Sequence, residues 1–471
     1  MQTLKSLFLL LSIHSLGTTA AVTSRDDVSP YLAERGIEPA QSGSGTIASN
    51  KKTYASIYDK NNNPDGLVNL GVAENYLMHD DLAAYIENNF TIANPTDLTY
   101  GPSIGSARLQ KALASYLNSQ FQPLEPVCAD SIAIGPGVTG LIDTITWNIC
   151  NEGDGIIIPR PLYNSFPRDI EFRSKGKLIP ASFVWDNETY SMDSAFDAAA
   201  NRAALERAYN NATRAGIKVR GVIITNPHNP LGRCYSKAAL KEIASFCGER
   251  KIHLFSDEIY AKSVYTNDQF PNATTFTSIL SLPLNHLIDP KLVHLLYGMS
   301  KDFAASGYRL GVLQSRNQDL IDAVTGIGSL TRPPFIAQNS WARLLEDETY
   351  LDQYFRTYSE RMTASYYIIR DYLEQRGASY FRGTNAGLFI WARLIDWPED
   401  GSAEEYATLK AKLLETCLRN GVNIADGETY KPDNLEKGWF RLTFTVGEDR
   451  LRVGLERLTK SLTQIQSAKF R

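Results

Sequence analysis

Tyr297–Leu313 reads YGMSKDFAASGYRLGVL. The apolar run Leu292–Tyr297 leads into it with the pattern of a buried strand. Ser300 and Lys301 stand where that strand ends, small residues follow (Ala304, Ala305, Ser306, Gly307), and Arg309 precedes a second apolar run. A lysine at the end of a buried strand is costly unless its amine is used. One use is a Schiff base, since an amine held in a partly dry pocket can attack a carbonyl. The other reading is a solvated loop lysine, and a lone Ser-Lys pair does not displace it. The rest of the chain has to supply what a reactive lysine needs.

Outward from this stretch, strands and helices alternate. Ser131–Ile134 predicts a strand, followed by GPGVTG and a helix to about Cys150. Further strands are predicted at 155–159, Lys177–Phe183, Gly221–Thr225, Ile252–Phe255, Leu292–Tyr297 and Leu310–Gln314, with helices at about Ala195–Ala215 and Lys237–Arg250. This rhythm predicts an α/β fold: a large domain with a mainly parallel sheet flanked by helices. Ligands bind at the carboxyl ends of the strands in such sheets. GPGVTG (135–140), PRPLYNSF (159–166), NPHNPLG (226–232), SDEIY (256–260) and MSKDF (299–303) all fall at those ends. After about Phe335 the pattern changes to a long helix (Ser340 to about Arg376), a strand at Gly387–Leu394, a helix at Ala403–Asn420, strands at Val422 and Phe440–Phe444, and a last helix from Glu448. A smaller α+β domain built from both chain ends is expected. The expected division is 1–21 as a signal or extension, 22–95 as an arm and part of the small domain, 96–335 as the large domain and 336–471 as the C-terminal small domain. Residues 22–63 read mostly as loop or arm, with a short helix at Tyr31–Gly36.

Each strand-end motif has a bland reading and a chemical one. GPGVTG matches G-x-G-x-x-G, but the next strand ends in Pro159-Arg160-Pro161 with no carboxylate for a ribose, which argues against a dinucleotide. What survives is a helix opened by Gly137, Val138 and Thr139, whose free N–H groups can hold a phosphate. Asp257 either caps a helix beginning at Glu258 or meets a positive charge such as a protonated heterocycle nitrogen. Asn229 sits in a stiff loop between Pro227 and Pro230. Tyr163 can stack on a flat ring or pack in the core. Arg309, eight residues after Lys301, suits a phosphate. Arg441, in WFRLTF, wants a carboxylate, supplied either by a structural ion pair or by a ligand.

Composition sets outer limits. The chain has 471 residues, 43% hydrophobic and 21% charged, with net charge −4, so it is ordinary globular material and no basic field points to nucleic acid. Its five cysteines are scattered without CxxC spacing and its six histidines form no ligand-spaced pair, which argues against a zinc site and a disulfide framework. Met1–Ala21 has the layout of a secretory signal, with Lys5, then SLFLLLSI, then GTTAA, and is too short to span a membrane. It points to the secretory pathway; read as a mere extension, it leaves a cytoplasmic protein. Four sequons (Asn89, Asn187, Asn211, Asn272) decide nothing, because chance supplies about that number.

Asn229, Asp257-x-x-Tyr260, Ser300-Lys301 and Arg309, in that order, with Arg441 near the C-terminus, resemble the class I/II pyridoxal-phosphate aminotransferase family (fold type I). LGVAEN (70–75), LTYG (98–101) and MSKDF resemble its 1-aminocyclopropane-1-carboxylate synthase-like branch. The resemblance covers roughly Tyr31–Leu462. It implies pyridoxal 5'-phosphate carried on Lys301 as an aldimine, with Lys301 later moving the proton. By the same resemblance Asp257 pairs with the pyridine nitrogen and Asn229 and Tyr260 contact the ring hydroxyl. Tyr163 then stacks on the ring, and Val138, Thr139 and Arg309 hold the phosphate, with Ser300 beside them. Tyr100 is implied to reach the neighbouring subunit's cofactor in a homodimer, and Arg441 to bind the substrate α-carboxylate. Glu74 is a substrate-side candidate that favours a lyase; Arg160, Tyr76 and Arg332 are candidates for the substrate's distal end. Two departures stand out. Gly298 occupies a position where the family often has a hydroxyl, and Tyr76 follows Ala73-Glu74-Asn75 where the plant synthases have Gln. The expected activity is an aminotransferase on an α-amino acid and a keto acid. The alternative is a lyase, by γ-elimination or C–S β-cleavage.

Overall fold

The structure is a computed structural model that describes residues 31–92, 95–184, 191–398, 401–433 and 437–469. The large sheet holds seven strands: β1 (Ile132–Gly135), β2 (Gly155–Pro159), β3 (Lys177–Ala181), β4 (Val219–Thr225), β5 (His253–Asp257), β6 (Val293–Gly298) and β7 (Gly311–Ser315). Their spatial order is β1-β7-β6-β5-β4-β2-β3. Only β7 is antiparallel to its neighbours, β1 and β6, so the other six strands share one direction. These strands read as unbroken apolar runs because both faces are covered. Val222 and Ile224 enter one core layer while Ile223, between them, enters the other; Leu295 and Leu296 divide in the same way. Each such side chain contributes about 1.5–3 kcal/mol by leaving water.

The small sheet is formed by β8 (Phe389–Arg393), β9 (Ala425–Asp426) and β10 (Trp439–Thr443), antiparallel throughout, in the order β9-β10-β8. Helices Ala403–Arg419 and Glu448–Lys469 accompany it. Val68–Asn69 pairs in parallel with Val422–Asn423, so an early segment of the chain joins this late part.

Three local expectations are corrected. Residues 37–54 are a helix, Ile37–Tyr54, rather than loop. Its sequence, rich in Ser and Gly, carries no apolar period to announce it, and Glu38 ties it to Lys175 of the large domain at 3.1 Å. The long helix is two, Phe335–Leu345 and Glu348–Gln375, because Asp347 leaves the helical conformation and accepts from the Tyr350 N–H as a cap. No helix follows Asp257; the chain turns there, so the capping reading of Asp257 falls. Met1–Ala21 and the Asn187 sequon lie outside the described residues. No helix among the described residues is long and apolar enough to cross a membrane.

Candidate active site

Lys301 follows the end of β6 and is half-buried. Its Nζ donates to the Ala73 carbonyl, and its own carbonyl accepts from Asn75 Nδ2 at 3.0 Å. Burial brings its pKa down to about 8; Arg441 and Arg309 act in the same direction, against Glu74 and Asp257. A lysine so placed is a fair fraction neutral, hence nucleophilic, near neutral pH.

Asp257 closes β5 and is 5% exposed. Its side chain has one backbone donor, the Ile259 N–H at 3.3 Å. Burial pushes its pKa up to about 7, with that N–H and Lys301 pulling the other way. A buried carboxyl so short of donors is stabilised by any cationic partner that reaches it. Tyr260, three residues on, is buried with its ring edge-on to Phe389 at 5.5 Å. Burial holds its phenol protonated well above the usual range.

Asn229 lies in the loop after β4 between two cis X-Pro bonds, Asn226-Pro227 and Asn229-Pro230. Its Oδ1 accepts from Arg441 Nη1 at 3.0 Å. Arg441, in the middle of β10, is 3% exposed, donates its Nη2 to the Gly71 carbonyl at 2.8 Å and leaves Nε without a partner. Its guanidinium lies over the rings of Phe389 (4.6 Å) and Tyr430 (4.9 Å). Among the described residues no carboxylate pairs with it. The structural ion pair expected as one explanation of this charge is therefore not what holds it.

A third group forms where β1, β7 and β6 meet. Gly135, Gly311 and Gly298 stand side by side in register. A Cβ on Gly311 would meet the Gly137 carbonyl carbon at 2.4 Å and the Val138 N at 2.7 Å. The start of helix Gly137–Ile149 therefore rests directly on the sheet edge. Gly137 has φ +79, and a Cβ there would lie 2.7 Å from Arg309 Nη2. The guanidinium of Arg309, exposed, thus faces the opening turn of this helix, where Val138 and Thr139 carry free N–H groups. The same register accounts for Gly298. A Cβ on it would come within 2.7 Å of the Leu310 carbonyl oxygen, so a hydroxyl-bearing residue has no room there.

The profile of the family Aminotransferase class I and II matches residues 65–458. The chain belongs to that family. Among curated relatives it is 31% identical to 1-aminocyclopropane-1-carboxylate synthase 7 of Arabidopsis thaliana over 85% of this chain and 88% of that protein. It is 30% identical to a probable aminotransferase of Aspergillus oryzae over 83% and 90%. Among solved structures, an aromatic aminotransferase from Pyrococcus horikoshii OT3 superposes with TM-score 0.68 at 20% identity, over 87% of this chain and 97% of that one, which speaks to the fold. The branch resemblance seen in LGVAEN, LTYG and MSKDF agrees with these relatives.

Class I and II aminotransferases use pyridoxal phosphate. The residues present fit it: an amine of lowered basicity, a buried carboxyl short of donors, and a glycine-floored helix start faced by an arginine. Tyr163, in the loop after β2, faces the same space, since both Arg441 and Asp257 act on its phenol. Ser300 is half-buried beside Lys301. Glu74 accepts from Ser306 Oγ at 3.2 Å and from the Tyr76 phenol at 3.0 Å. Tyr100 is not gathered with the others: it is 87% exposed, with the Arg332 guanidinium 6.0 Å from its ring. Arg332 therefore lies with Tyr100, not with Arg441. Arg160 is bonded to the buried Asp433 at 3.4 Å. Sequence reasoning missed Tyr430, whose ring lies under Arg441 and whose buried hydroxyl has no partner. It also missed Asp169, a buried carboxyl raised to about 7 by burial. No local motif marks either one.

Proposed function

We propose that this chain is a pyridoxal-phosphate-dependent aminotransferase acting on an α-amino acid. The observation that carries the reading is Arg441: a buried guanidinium without a carboxylate partner, reaching from the small sheet to Asn229 at the large sheet's strand ends and close enough to act on Lys301. A charge so placed is stabilised by an anion that arrives with the substrate, and a bidentate α-carboxylate matches its fork.

The cofactor, when bound, supplies a conjugated ring that accepts the electrons of the broken Cα–H bond. The protein's own groups do the rest. Lys301 Nζ would hold the cofactor, and its amine, weakened chiefly by burial, is the group placed to take the Cα proton as a base. Asp257 would face the ring nitrogen and favour its protonated form, and the phenol of Tyr260 and the amide of Asn229 would serve the ring oxygen. Val138, Thr139 and Arg309 would hold the phosphate, with Tyr163 beside the ring. Arg441 would hold the α-carboxylate and so help orient the substrate in front of Lys301. Tyr100, exposed in one chain, serves the site of a second copy in a homodimer.

Elimination is the second reading. It is favoured by relatives named as 1-aminocyclopropane-1-carboxylate synthases and by the Glu74 carboxylate near Lys301. The deciding experiment incubates purified protein and pyridoxal phosphate with a panel of amino acids, with and without a keto acid. Consumption that depends on the keto acid supports transamination. Products formed without it, with release of ammonia or a thiol, replace that reading with elimination.

A further inference from the structure

Next to Lys301 sits a carboxylate that the chemistry above does not use. Asp302 is fully buried, at 0% exposure. Its Oδ2 accepts from the Lys262 backbone N–H and from the Tyr297 hydroxyl, both at 2.9 Å. Its Oδ1 accepts from Ser263 Oγ at 2.7 Å. Behind these donors lie further phenols: Tyr116 Oη is 3.2 Å from Tyr297 Oη, and Tyr358 Oη is 2.8 Å from Ser263 Oγ. Tyr354 donates to the Asp302 carbonyl at 3.3 Å.

Three hydrogen bonds to one carboxylate, one from a backbone N–H and two from hydroxyls, would suffice to make a buried acid tolerable. Their origin says more. Lys262 and Ser263 belong to the loop that leaves β5 directly after Asp257 and carries Tyr260. Asp302 belongs to the loop that leaves β6 and carries Lys301. One side chain therefore joins the loop that holds the reactive amine to the loop that holds the groups for the ring nitrogen and ring oxygen. We propose that Asp302 is the positioning residue of this site, and that its bonds to Lys262, Ser263 and Tyr297 keep the Lys301 amine withdrawn from water and in register with Asp257 and Tyr260. The proposal rests on the reading of Lys301 as the cofactor-bearing lysine.

The surroundings of both groups are specific. Asp302 faces Lys262, Tyr297, Tyr116, Tyr354 and Tyr358; burial raises its pKa to about 6, opposed by the three donors and the Lys262 charge. Lys301 faces Arg441, Glu74, Arg309 and Asp257, and burial is the largest reason its amine is weakened. Loosening the loop lets water reach that amine, so its pKa rises toward the ordinary lysine value. Loss of the Asp302 charge acting only through space has the opposite sign, because it removes a stabiliser of the cation. Direction thus separates positioning from simple electrostatics.

The test uses the full-length protein freed of cofactor, given a brief pulse of pyridoxal phosphate and then borohydride at a series of pH values, so that label follows the neutral fraction of the Lys301 amine and is counted by peptide mass spectrometry. Wild type should show a midpoint below that of an ordinary lysine. Asp302→Asn should move it up by about one pH unit. Tyr297→Phe and Ser263→Ala, which change no charge at neutral pH, should move it the same way by less, with melting temperatures near wild type. If Asp302→Asn does not fold, these two variants decide. An unchanged or lowered midpoint in the folded variants overturns the proposal while leaving Lys301 in its role. Label on another lysine in wild type overturns both.

Discussion

Replacement of Arg441 by Lys is the sharpest perturbation of the proposed chemistry. It keeps the charge and removes the fork. In the protein Arg441 spends Nη1 on Asn229 and Nη2 on Gly71, with Nε unpartnered and two aromatic rings beneath the guanidinium. The flat, buried group is thereby fixed in one orientation, and a lysine ammonium cannot reproduce two parallel bonds to a carboxylate. Losing one of the two charge-assisted hydrogen bonds costs about 1.5–3 kcal/mol. That corresponds to about 10–160-fold in kcat/KM for the amino acid. The assay compares kcat/KM of wild type and Arg441→Lys on one amino acid. In parallel it measures borohydride-fixed label on Lys301, which should persist because Arg441 is not the residue that bears the cofactor. A kcat/KM within threefold of wild type would refute the assignment of Arg441 to the substrate carboxylate.

Gly298→Ser should cost about 1–3 kcal/mol of stability, since its Cβ would lie 2.7 Å from the Leu310 carbonyl oxygen; an unchanged denaturant midpoint would sink the close-approach argument. The buried pair His253 and His294 (Nδ1 to Nε2, 2.9 Å) is held neutral by burial, His253 down to about 4 and His294 well below its ordinary value. For a base with lowered folded pKa, the unfolded chain takes the proton first, so its contribution is lost as pH falls from about 6.5 toward 4. Urea midpoints of wild type minus His294→Asn should therefore shrink over that window, and a constant difference would contradict the neutral pair. If Tyr100 serves a partner's site, Tyr100→Ala and Lys301→Ala protomers, each impaired alone, should recover up to about a quarter of wild-type activity when co-refolded, because a mixed dimer keeps one intact site. Activity no greater than the sum of the parents would remove Tyr100 from the shared site.

What the sequence made legible follows from the range of the interactions. Lys301, Asp257, Asn229 and Tyr163 stand at strand ends, and a strand end is a local pattern: an apolar run followed by Gly, Pro or a polar residue. The parallel sheet was legible for the same reason. Tyr430, the Gly71 and Ala73 carbonyls and the Asp302 bridge depend on segments far apart in the chain, and no local period marks them. The helix Ile37–Tyr54 was missed because its Ser and Gly residues lack an apolar stripe.

Gly298 shows how such a local comparison misleads. Set beside the family motif, it is a phosphate-binding hydroxyl lost. In the sheet it is one of three glycines in register, Gly135, Gly311 and Gly298, at the corner where helix Gly137–Ile149 comes down on the strands. Backbone contact at that corner brings the Val138 N–H within 2.7 Å of where a Gly311 Cβ would be and sets the Arg309 guanidinium against Gly137. A side chain in the row would lift one of these layers. The hydroxyl is therefore not a part that can be restored by one substitution. On the proposed reading the phosphate would fall to the helix N–H groups and Arg309, so removal of Arg309 should weaken cofactor binding more than any change at position 298 can strengthen it.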